Sequence, residues 1–373
     1  MIRLLTRLRG PFIFLVICAL SASPISALIM VEEASLPLKE TDQILGSMRN
    51  NFLLYSKPYI RMYNSRLIEL FSKKLSNNVK PTMSPNGQYL GLITYADRSP
   101  TDMRTVKFER YDRLGKFIWK MDNPAPNEFL LSNTGRIFGI EGVAGMPSIK
   151  IHLYDQFGEQ INILTIADYH GILISSGGSK FLVDNAGNGL AVFDSLGERL
   201  ATLPTSTHYL FDRDDRYIGI FFQGTFRLFQ DEKEVRTIKT EDAVIRDMAI
   251  NVEHNLLVAL AVNHIMVYEL TTGKLLWQYK FLSTSKFFTK VDLSDDGELL
   301  VCGLDINLGK ELPKDVRHRE GYLYLAPTNG KMMIQFKATY NNWGIGLPRG
   351  YFTSSRGSLF LVTKEEIKRL LIK

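Results

Sequence analysis

The sequence predicts an all-β protein, a seven-bladed β-propeller of four-stranded antiparallel blades, and three observations support that prediction. A tight polar turn between two short apolar strands recurs seven times, an apolar-alternating hairpin also recurs seven times, and the two features alternate along the chain. One turn and one hairpin together supply four strands, which is the content of one propeller blade. The chain has 373 residues, 45% of them hydrophobic and 23% charged, a composition typical of a globular protein.

The first 27 residues differ from the rest of the chain. Arg3, Arg7 and Arg9 precede an apolar run from Phe12 to Leu20, and the small residues that follow end at Ala27. This layout is typical of a secretory signal peptide, and the apolar run is short for a membrane span. We therefore expect cleavage near Ala27 and a periplasmic or secreted protein without a membrane span in the mature chain. An uncleaved anchor is the alternative.

Net charge and cysteine content narrow the classes of function. Removal of the first 27 residues lowers the formal net charge from +6 to +3, which gives no electrostatic reason to expect a nucleic-acid partner. The remaining chain has a single cysteine, Cys302, so it cannot form an intrachain disulfide. Because Cys302 lies in an apolar strand pattern, we expect a buried and unreactive thiol.

The propeller is expected over residues 51–363, because the strand patterns begin at Asn51. Residues 28–50 show no clear strand alternation and are interpreted as a lead-in segment, with a short helix considered around Thr41–Met48. The C-terminal tail at 364–373 has two interpretations. It is either a short helix with one apolar side or an outer strand of the last blade.

The inner turns are the first repeated feature. Their Asn, Asp and Gly residues tolerate the positive φ that tight hairpins require. Successive turns begin 48, 43, 37, 39, 43 and 60 residues apart, and the mean of about 45 suits a four-stranded blade. The turns begin at Ser84, Ser132, Ser175, Asp212, Asn251, Ser294 and Ser354.

The outer hairpins are the second repeated feature, and their order predicts how the ring closes. The first complete element is an outer hairpin and the last, Tyr351–Val362, is an inner pair, so we expect the N-terminal strands to complete the C-terminal blade. Phe52–Tyr55 could instead be a second strand that competes with Ser358–Val362. The hairpins are Tyr59–Phe71, Arg104–Trp119, Ser148–Leu164, Leu190–Leu203, Thr225–Ile238, Ile265–Tyr279 and Tyr322–Phe336.

Four stretches resemble the repeats of known propellers. Ser84–Leu90 and Ser294–Leu300 resemble the repeats of TolB-type and WD-repeat-like bacterial propellers. Tyr111–Trp119 and Tyr268–Trp277 resemble the outer hairpins of quinoprotein-like repeat propellers. The resemblance covers about residues 51–363, and it implies a periplasmic propeller rather than a particular activity.

Polar residues lie four or five positions before each inner turn, where the inner strands enter the central channel. The basic members of this set could hold a small anion, or His170, His208 and a carboxylate could hold a metal ion. A water-filled channel whose charges pair with one another is the alternative. The channel-mouth candidates are Lys80, Glu128, His170, His208, Arg246, Asp247, Lys290 and Arg349.

Three loops on one face form the second candidate. They are Asp305–Glu320 in the sixth unit, Ala96–Met103 in the first and Ala338–Pro348 before the last. Units six, seven and one are neighbours in a closed ring of seven, so we expect a partner-binding surface there; ordinary solvated loops are the alternative. The expected contact residues are Trp343, Tyr340, Arg317, His318, Arg319 and Arg98.

Enzyme signatures are missing from the sequence, which contains no phosphate-cradling glycine loop, no His-Glu-x-x-His and no cysteine cluster. We therefore assign no catalytic residue, metal or cofactor. The favoured hypothesis is an exported, non-enzymatic scaffold or subunit of a cell-envelope complex with protein partners. Alternatives are a propeller enzyme of the quinoprotein, lyase or lactonase type, and a sensor that binds a small anion at the channel mouth.

Overall fold

Short apolar strands joined by tight turns form eight four-stranded sheets, each of them antiparallel. They are seen in a computed structural model, which describes residues 30–39, 42–46, 48–96, 104–143, 146–185, 188–241, 244–281, 286–306, 318–330, 334–341, 349–353, 357–363 and 366–372. Each sheet is one blade of a propeller, so the predicted all-β propeller of four-stranded blades is confirmed. Strands within a blade are called A to D from the central axis outward.

The first strand, β1, belongs to the last blade, and blades 1 to 4 follow it along the chain. In chain order these strands are β1 (Met30–Pro37), β2 (Gln43–Leu45), β3 (Asn51–Ser56), β4 (Tyr59–Asn64), β5 (Glu69–Lys74), β6 (Val79–Met83), β7 (Tyr89–Tyr95), β8 (Thr105–Asp112), β9 (Phe117–Asp122), β10 (Glu128–Leu131), β11 (Ile137–Glu141), β12 (Ser148–Tyr154), β13 (Gln160–Ala167), β14 (Tyr169–Ile174), β15 (Lys180–Asn185), β16 (Gly189–Asp194) and β17 (Arg199–Leu203).

Blades 5 to 8 contain the remaining strands, and blade 8 takes β1 as its outermost strand. The strands of these blades are β18 (His208–Phe211), β19 (Tyr217–Phe222), β20 (Thr225–Gln230), β21 (Lys233–Lys239), β22 (Asp247–Asn251), β23 (Leu256–Leu260), β24 (His264–Glu269), β25 (Leu275–Lys280), β26 (Lys286–Leu293), β27 (Leu299–Ile306), β28 (His318–Pro327), β29 (Ile334–Asn341), β30 (Arg349–Phe352), β31 (Ser358–Val362) and β32 (Glu366–Ile372).

The predicted count of seven blades is wrong, because the N-terminal strands form a blade of their own. Tyr59–Phe71 does not join the C-terminal strands; it pairs with β3, and β3 pairs with β2. The inner strand β2 has only three residues, and its turn begins at Gly46 rather than at Ser, Asp or Asn. The repeat marker is therefore hidden in this blade, although Gly46 precedes Ser84 by 38 residues, within the range of the other spacings.

The ring closes through β1 and β32. Seven residue pairs join these strands, from Met30 opposite Ile372 to Pro37 opposite Glu366. Lys368 Nζ lies 3.1 Å from Glu32 Oε2, which adds an ion pair across the closure. Part of the expected lead-in segment and most of the tail thus form blade strands, and β2 lies where a short helix was considered.

The hydrophobic core is divided into eight clusters, one between each pair of neighbouring blades. At the junction of blades 8 and 1, Phe52 and Phe360 are fully buried with ring centroids 5.8 Å apart. Burying such a side chain stabilises the fold by about 1.5–3 kcal/mol. The closing junction is therefore packed in the same way as the other seven.

Turn chemistry explains the repeated sequence markers. Ser84, at the start of one A-to-B turn, is fully buried, and its Oγ accepts a hydrogen bond from Tyr89 N at 3.1 Å. Ser294 accepts from Leu299 N at 2.9 Å in the same way, and Asp212 accepts from Tyr217 N at 2.6 Å. These side chains satisfy backbone donors that the turn would otherwise leave unpaired.

The outer hairpins pack by a second repeated contact. Gly158 and Gly330, in C-to-D turns, lie directly against Trp119 and Trp277 of the preceding blade, and a Cβ on either glycine would overlap the indole ring. Trp277 Nε1 also donates a hydrogen bond to Thr328 O. This contact gives a structural role to the Trp that ends each of the stretches Tyr111–Trp119 and Tyr268–Trp277, because the indole of one blade supports the turn of the next.

Strand order gives the propeller two different faces. A-to-B and C-to-D turns lie on one face, termed the AB/CD face. B-to-C loops and the connections from strand D to the next strand A lie on the other, termed the BC/DA face. Each A strand therefore starts at the BC/DA face and ends at the AB/CD face.

Candidate functional site

The channel-mouth candidates lie in the A strands or directly before them, most of them at the first or second position and Lys290 in the middle of β26. The turn of blade 8 begins at Thr353, one residue before the predicted Ser354. Six of the candidates then precede the first residue of the A-to-B turn by four positions, which places them at one level around the channel at the BC/DA face; they are Lys80, Glu128, His208, Asp247, Lys290 and Arg349. His170 and Arg246 lie one position earlier. The structure therefore assembles the residues into a ring, and their ligand-binding role stays a prediction.

Neighbouring blades are joined by several members of this ring. His208 Nε2 donates to Arg246 O at 3.1 Å, from blade 5 to blade 6. Asp247 Oδ2 accepts from Val291 N at 2.9 Å, from blade 6 to blade 7. These two side chains hold adjacent inner strands together, which is a structural role that does not require a ligand.

Asp247 is the most perturbed titratable group of the ring. Burial raises the pKa of its carboxyl, while the hydrogen bond from Val291 N and the charge of Lys290 act in the opposite direction. A carboxylate inside the wall of a protein is costly unless donors surround it. Asp247 lines the channel, and its carboxyl is held by Val291 N of the next blade.

A bridge of ion pairs crosses the channel at the AB/CD face. Arg49, in the A-to-B turn of blade 1, lies 2.5 Å from Asp292 of blade 7 and also pairs with Asp295. Arg213 of blade 5 reaches the same Asp295 at 2.6 Å. Blade 7 is thus linked to blade 1 across blade 8, and to blade 5 across blade 6.

A cavity of about 670 Å³ lies beside this bridge, against the A strands of blades 5, 6 and 7. Both polar and apolar side chains line it. Its lining includes His208, Leu210, Phe211, Asp212, Arg213, Asp247, Met248, Ile250, Lys290, Val291, Asp292 and Arg49. Three of the predicted channel-mouth residues, His208, Asp247 and Lys290, therefore share one cavity.

The metal interpretation gains no support from the described part of the chain. No group of three or more His, Cys, Asp or Glu side chains there could hold a metal ion. His170 is exposed, and His208 is engaged by Arg246 O. Cys302 is fully buried, and burial raises the pKa of its thiol, as its apolar pattern predicts.

Blade 7 carries a projecting ribbon at the BC/DA face. Its C strand, β28, has 10 residues, whereas the C strands of the other blades have six to eight. Among the described residues, His318–Glu320 pair with β29 alone, because the pairing of β28 with β27 ends at Gly321 opposite Asp305. A two-stranded ribbon therefore extends beyond the sheet.

Three of the predicted partner-binding residues lie on this ribbon. Arg319 is directly opposite Tyr340, and His318 is opposite Asn341. The other three, Arg317, Trp343 and Arg98, lie outside the described residues.

The predicted neighbour relation of the three loops is wrong. The loops belong to blades 7 and 2 and to the connection from blade 7 to blade 8, and blades 8 and 1 separate blade 7 from blade 2.

Sequence reasoning missed the cross-channel bridge and a row of apolar turn tips. Leu114, Phe157 and Leu196, at equivalent positions in the C-to-D turns of blades 2, 3 and 4, are 59%, 72% and 51% exposed. In each turn an Asp accepts hydrogen bonds from the tip residue and from the residue two positions later. The repeated Asp-x-apolar-Gly pattern is the signal in the sequence that could have revealed the tips.

Comparison with solved structures supports the propeller fold. The chain is similar to the C-terminal WD40 domain of Sif2, with a TM-score of 0.58 and 9% identity over 91% of this chain and 97% of that one. It is similar to BamB from Moraxella catarrhalis, with a TM-score of 0.54 and 11% identity over 92% and 99%. It also resembles Kluyveromyces lactis Hsv2, with a TM-score of 0.51 and 12% identity over 80% and 98%.

These likenesses show the fold alone. The propeller resemblance of the sequence repeats is confirmed by them. No protein-family model matches the chain, and no curated protein matches it in sequence. In the described ranges, no helix has the length and apolar character needed to span a membrane.

Proposed function

We propose that this protein is an exported, non-enzymatic propeller that binds protein partners as a scaffold or as a subunit of a cell-envelope complex. The binding surface is the blade 7 ribbon with the loops that flank it at the BC/DA face. It comprises Arg317, His318, Arg319, Tyr340 and Trp343. Blades 8 and 1 separate blade 2, whose loop contains Arg98, from this surface, so that loop is not part of it.

The observation that carries the proposal is the extension of β28 and β29 beyond their sheet. Within the described part of blade 7, the residues His318–Glu320 have no pairing partner in β27, so one edge of the ribbon has no described strand beside it. Such edges pair readily with other chains, and natural propellers keep most of their edges short or covered. The ribbon combines that backbone edge with the aromatic and arginine residues that interfaces favour.

Export rests on the N-terminal sequence pattern and agrees with the position of the first strand. Cleavage after Ala27 would leave two residues ahead of β1, which begins at Met30. The strand that closes the ring would then remain intact in the mature protein. Cleavage several residues later would remove its first pairs with β32.

The scaffold proposal is tested by site-specific photo-cross-linking in the native cell. A photoreactive residue is placed at Tyr340 or Trp343 in the binding surface, and at Phe157 on the opposite face as the matched control. We expect a discrete cross-linked product at the first two positions and none at the third. No product at any position, or equal products at all three, would contradict the proposal.

A further inference from the structure

The central cavity contains a cationic group whose charge the described residues do not neutralise by direct pairing. Lys290 is half-buried in the cavity lining, and no acidic side chain of the described residues lies within ion-pairing distance of it. Its Nζ lies 5.7 Å from the centroid of the Tyr351 ring, a favourable but modest cation–π contact.

The three carboxylates of the same lining, Asp212, Asp247 and Asp292, each accept a backbone hydrogen bond. Asp212 is 6% exposed and accepts from Tyr217 N. Asp292 accepts from Phe352 N at 2.9 Å and pairs with Arg49. Arg49 and Arg213 pair with Asp295, so Lys290 is the charged group of the lining whose described contacts include no hydrogen bond or ion pair, although its charge acts on Asp247.

The ring residues at the mouth of the cavity carry, like Lys290, an excess of positive formal charge. Lys80 and Arg246 are exposed and Arg349 is half-buried at the same level of the channel, whereas Glu128 is the exposed carboxylate of the described ring residues. The ring residues at this level supply four cationic groups, Lys80, Arg246, Lys290 and Arg349, and two carboxylates, Glu128 and Asp247, and an excess of one sign raises the local concentration of ligands of the opposite sign. Anions would therefore be drawn toward this mouth.

We propose that the central cavity binds a small organic anion, whose carboxylate or phosphate group pairs with Lys290 and whose apolar part packs on Leu210, Phe211 and Ile250. The volume of about 670 Å³ is within the range of small-molecule sites, and the mixture of apolar walls with a few polar groups is typical of them. This site is separate from the blade 7 ribbon and does not depend on the scaffold proposal.

Direct titration of the purified protein tests this site. Phenyl phosphate, 3-phenylpropionate and inorganic phosphate are titrated by calorimetry at constant ionic strength set with chloride. We expect at least one of the two aromatic anions to bind more tightly than inorganic phosphate, and Lys290→Met to weaken that binding at least tenfold. Lys290→Arg should retain it, and Lys116→Met, on an exposed turn of the other face, should leave it unchanged.

The result that would overturn the proposal is equally direct. The proposal is wrong if neither aromatic anion binds at concentrations up to about 10 mM, which would mean a Kd weaker than that of a useful small-molecule site. It is also wrong if Lys290→Met binds the anion as tightly as the wild type does. Circular dichroism first establishes that the variant is folded. If it is not, Ala249→Phe, which narrows the cavity and keeps its charges, must abolish binding, and unchanged binding in that variant also refutes the proposal.

Discussion

Arg49 of blade 1 forms an ion pair with Asp292 of blade 7 at 2.5 Å, and the two residues are 243 positions apart in the chain. The guanidinium also donates to Leu293 O at 2.7 Å. Because blade 8 lies between blades 1 and 7, this contact spans the junction at which the ring closes.

Replacing Arg49 by Ala should destabilise the propeller. The substitution leaves the mostly buried Asp292 without its cation, and breaking a partly buried pair of this kind costs about 1–3 kcal/mol. Chemical denaturation measures the change. Arg66→Ala, on an outer turn of the same blade, is the control and should change the free energy of unfolding by less than about 0.5 kcal/mol; equal effects of the two substitutions would contradict the role given to Arg49.

Arg110 should be a stronger determinant of stability. It is 5% exposed, its guanidinium lies over the rings of Tyr89 and Trp119, and Nη1 donates to Gly135 O of the next blade at 2.6 Å. Arg110→Ala removes this link and leaves a cavity, so we expect a loss of about 2–4 kcal/mol in the free energy of unfolding.

The control for this prediction is Arg113→Ala, three residues away on an exposed turn, which should have little effect. Thermal unfolding and urea unfolding should both show that Arg110→Ala is less stable than Arg113→Ala. A stability of Arg110→Ala equal to that of the wild type would show that the buried guanidinium does not hold blades 2 and 3 together.

Asp247 should make stability depend on pH. Burial raises the pKa of its carboxyl above the value of 3.8 expected in the unfolded chain, so the folded state holds the proton more tightly. Its contribution is most favourable below that unfolded pKa and is lost as the pH rises through the folded pKa. Asp247→Asn keeps an acceptor for Val291 N without the charge and should therefore raise the Tm at pH 7 but not near pH 3.

Asp231→Asn, on an exposed turn with positive φ, is the control and should show little change at either pH. Thermal unfolding followed by circular dichroism from pH 3 to pH 8 gives the difference directly. A lower Tm for Asp247→Asn at pH 7 would mean that the charged form of Asp247 stabilises the inner strands.

If the protein is exported as proposed, its mature N-terminus should lie directly after the signal peptide. Intact mass and N-terminal sequencing of the protein purified from its native cell should show that residues 1–27 are missing and that the mature chain begins at Leu28. Retention of the first 27 residues would support the uncleaved anchor instead.

The repeat pattern of the sequence predicted most of the blades because turn chemistry fixes their register. Ser84 and Ser294 begin turns whose hydrogen bonds are the same, so counting back four residues reaches equivalent sequence positions, Lys80 and Lys290, in two A strands. Blade 1 was not recognised in the sequence, because β2 has three residues and its turn lacks the starting Ser, Asp or Asn. Because this blade was not counted, the predictions of ring closure and of which loops are neighbours were also wrong.

The cross-channel bridge could not be predicted from the sequence. Arg49 and Asp295 are 246 positions apart, and their contact depends on the size of the ring and on the position of blade 1 within it. The expected grouping of three loops failed for the same reason, because the sequence pattern places a single blade between the loops of blades 7 and 2, whereas the structure has two, blades 8 and 1. Local patterns specify strands and turns, whereas surfaces shared by several blades require the closed ring.

An engineered disulfide between β1 and β32 would report directly on how the eight-bladed ring closes. Ser35 is directly opposite Lys368 in the register of these strands, at a separation that suits a cross-strand disulfide. In the variant Ser35→Cys with Lys368→Cys, oxidation should form an intramolecular bond that links the two ends of the chain. In the matched pair Ser72→Cys with Lys368→Cys, which joins blade 1 to blade 8, no bond should form. A disulfide in the second variant but not in the first would contradict an eight-bladed ring closed by the N-terminal strand.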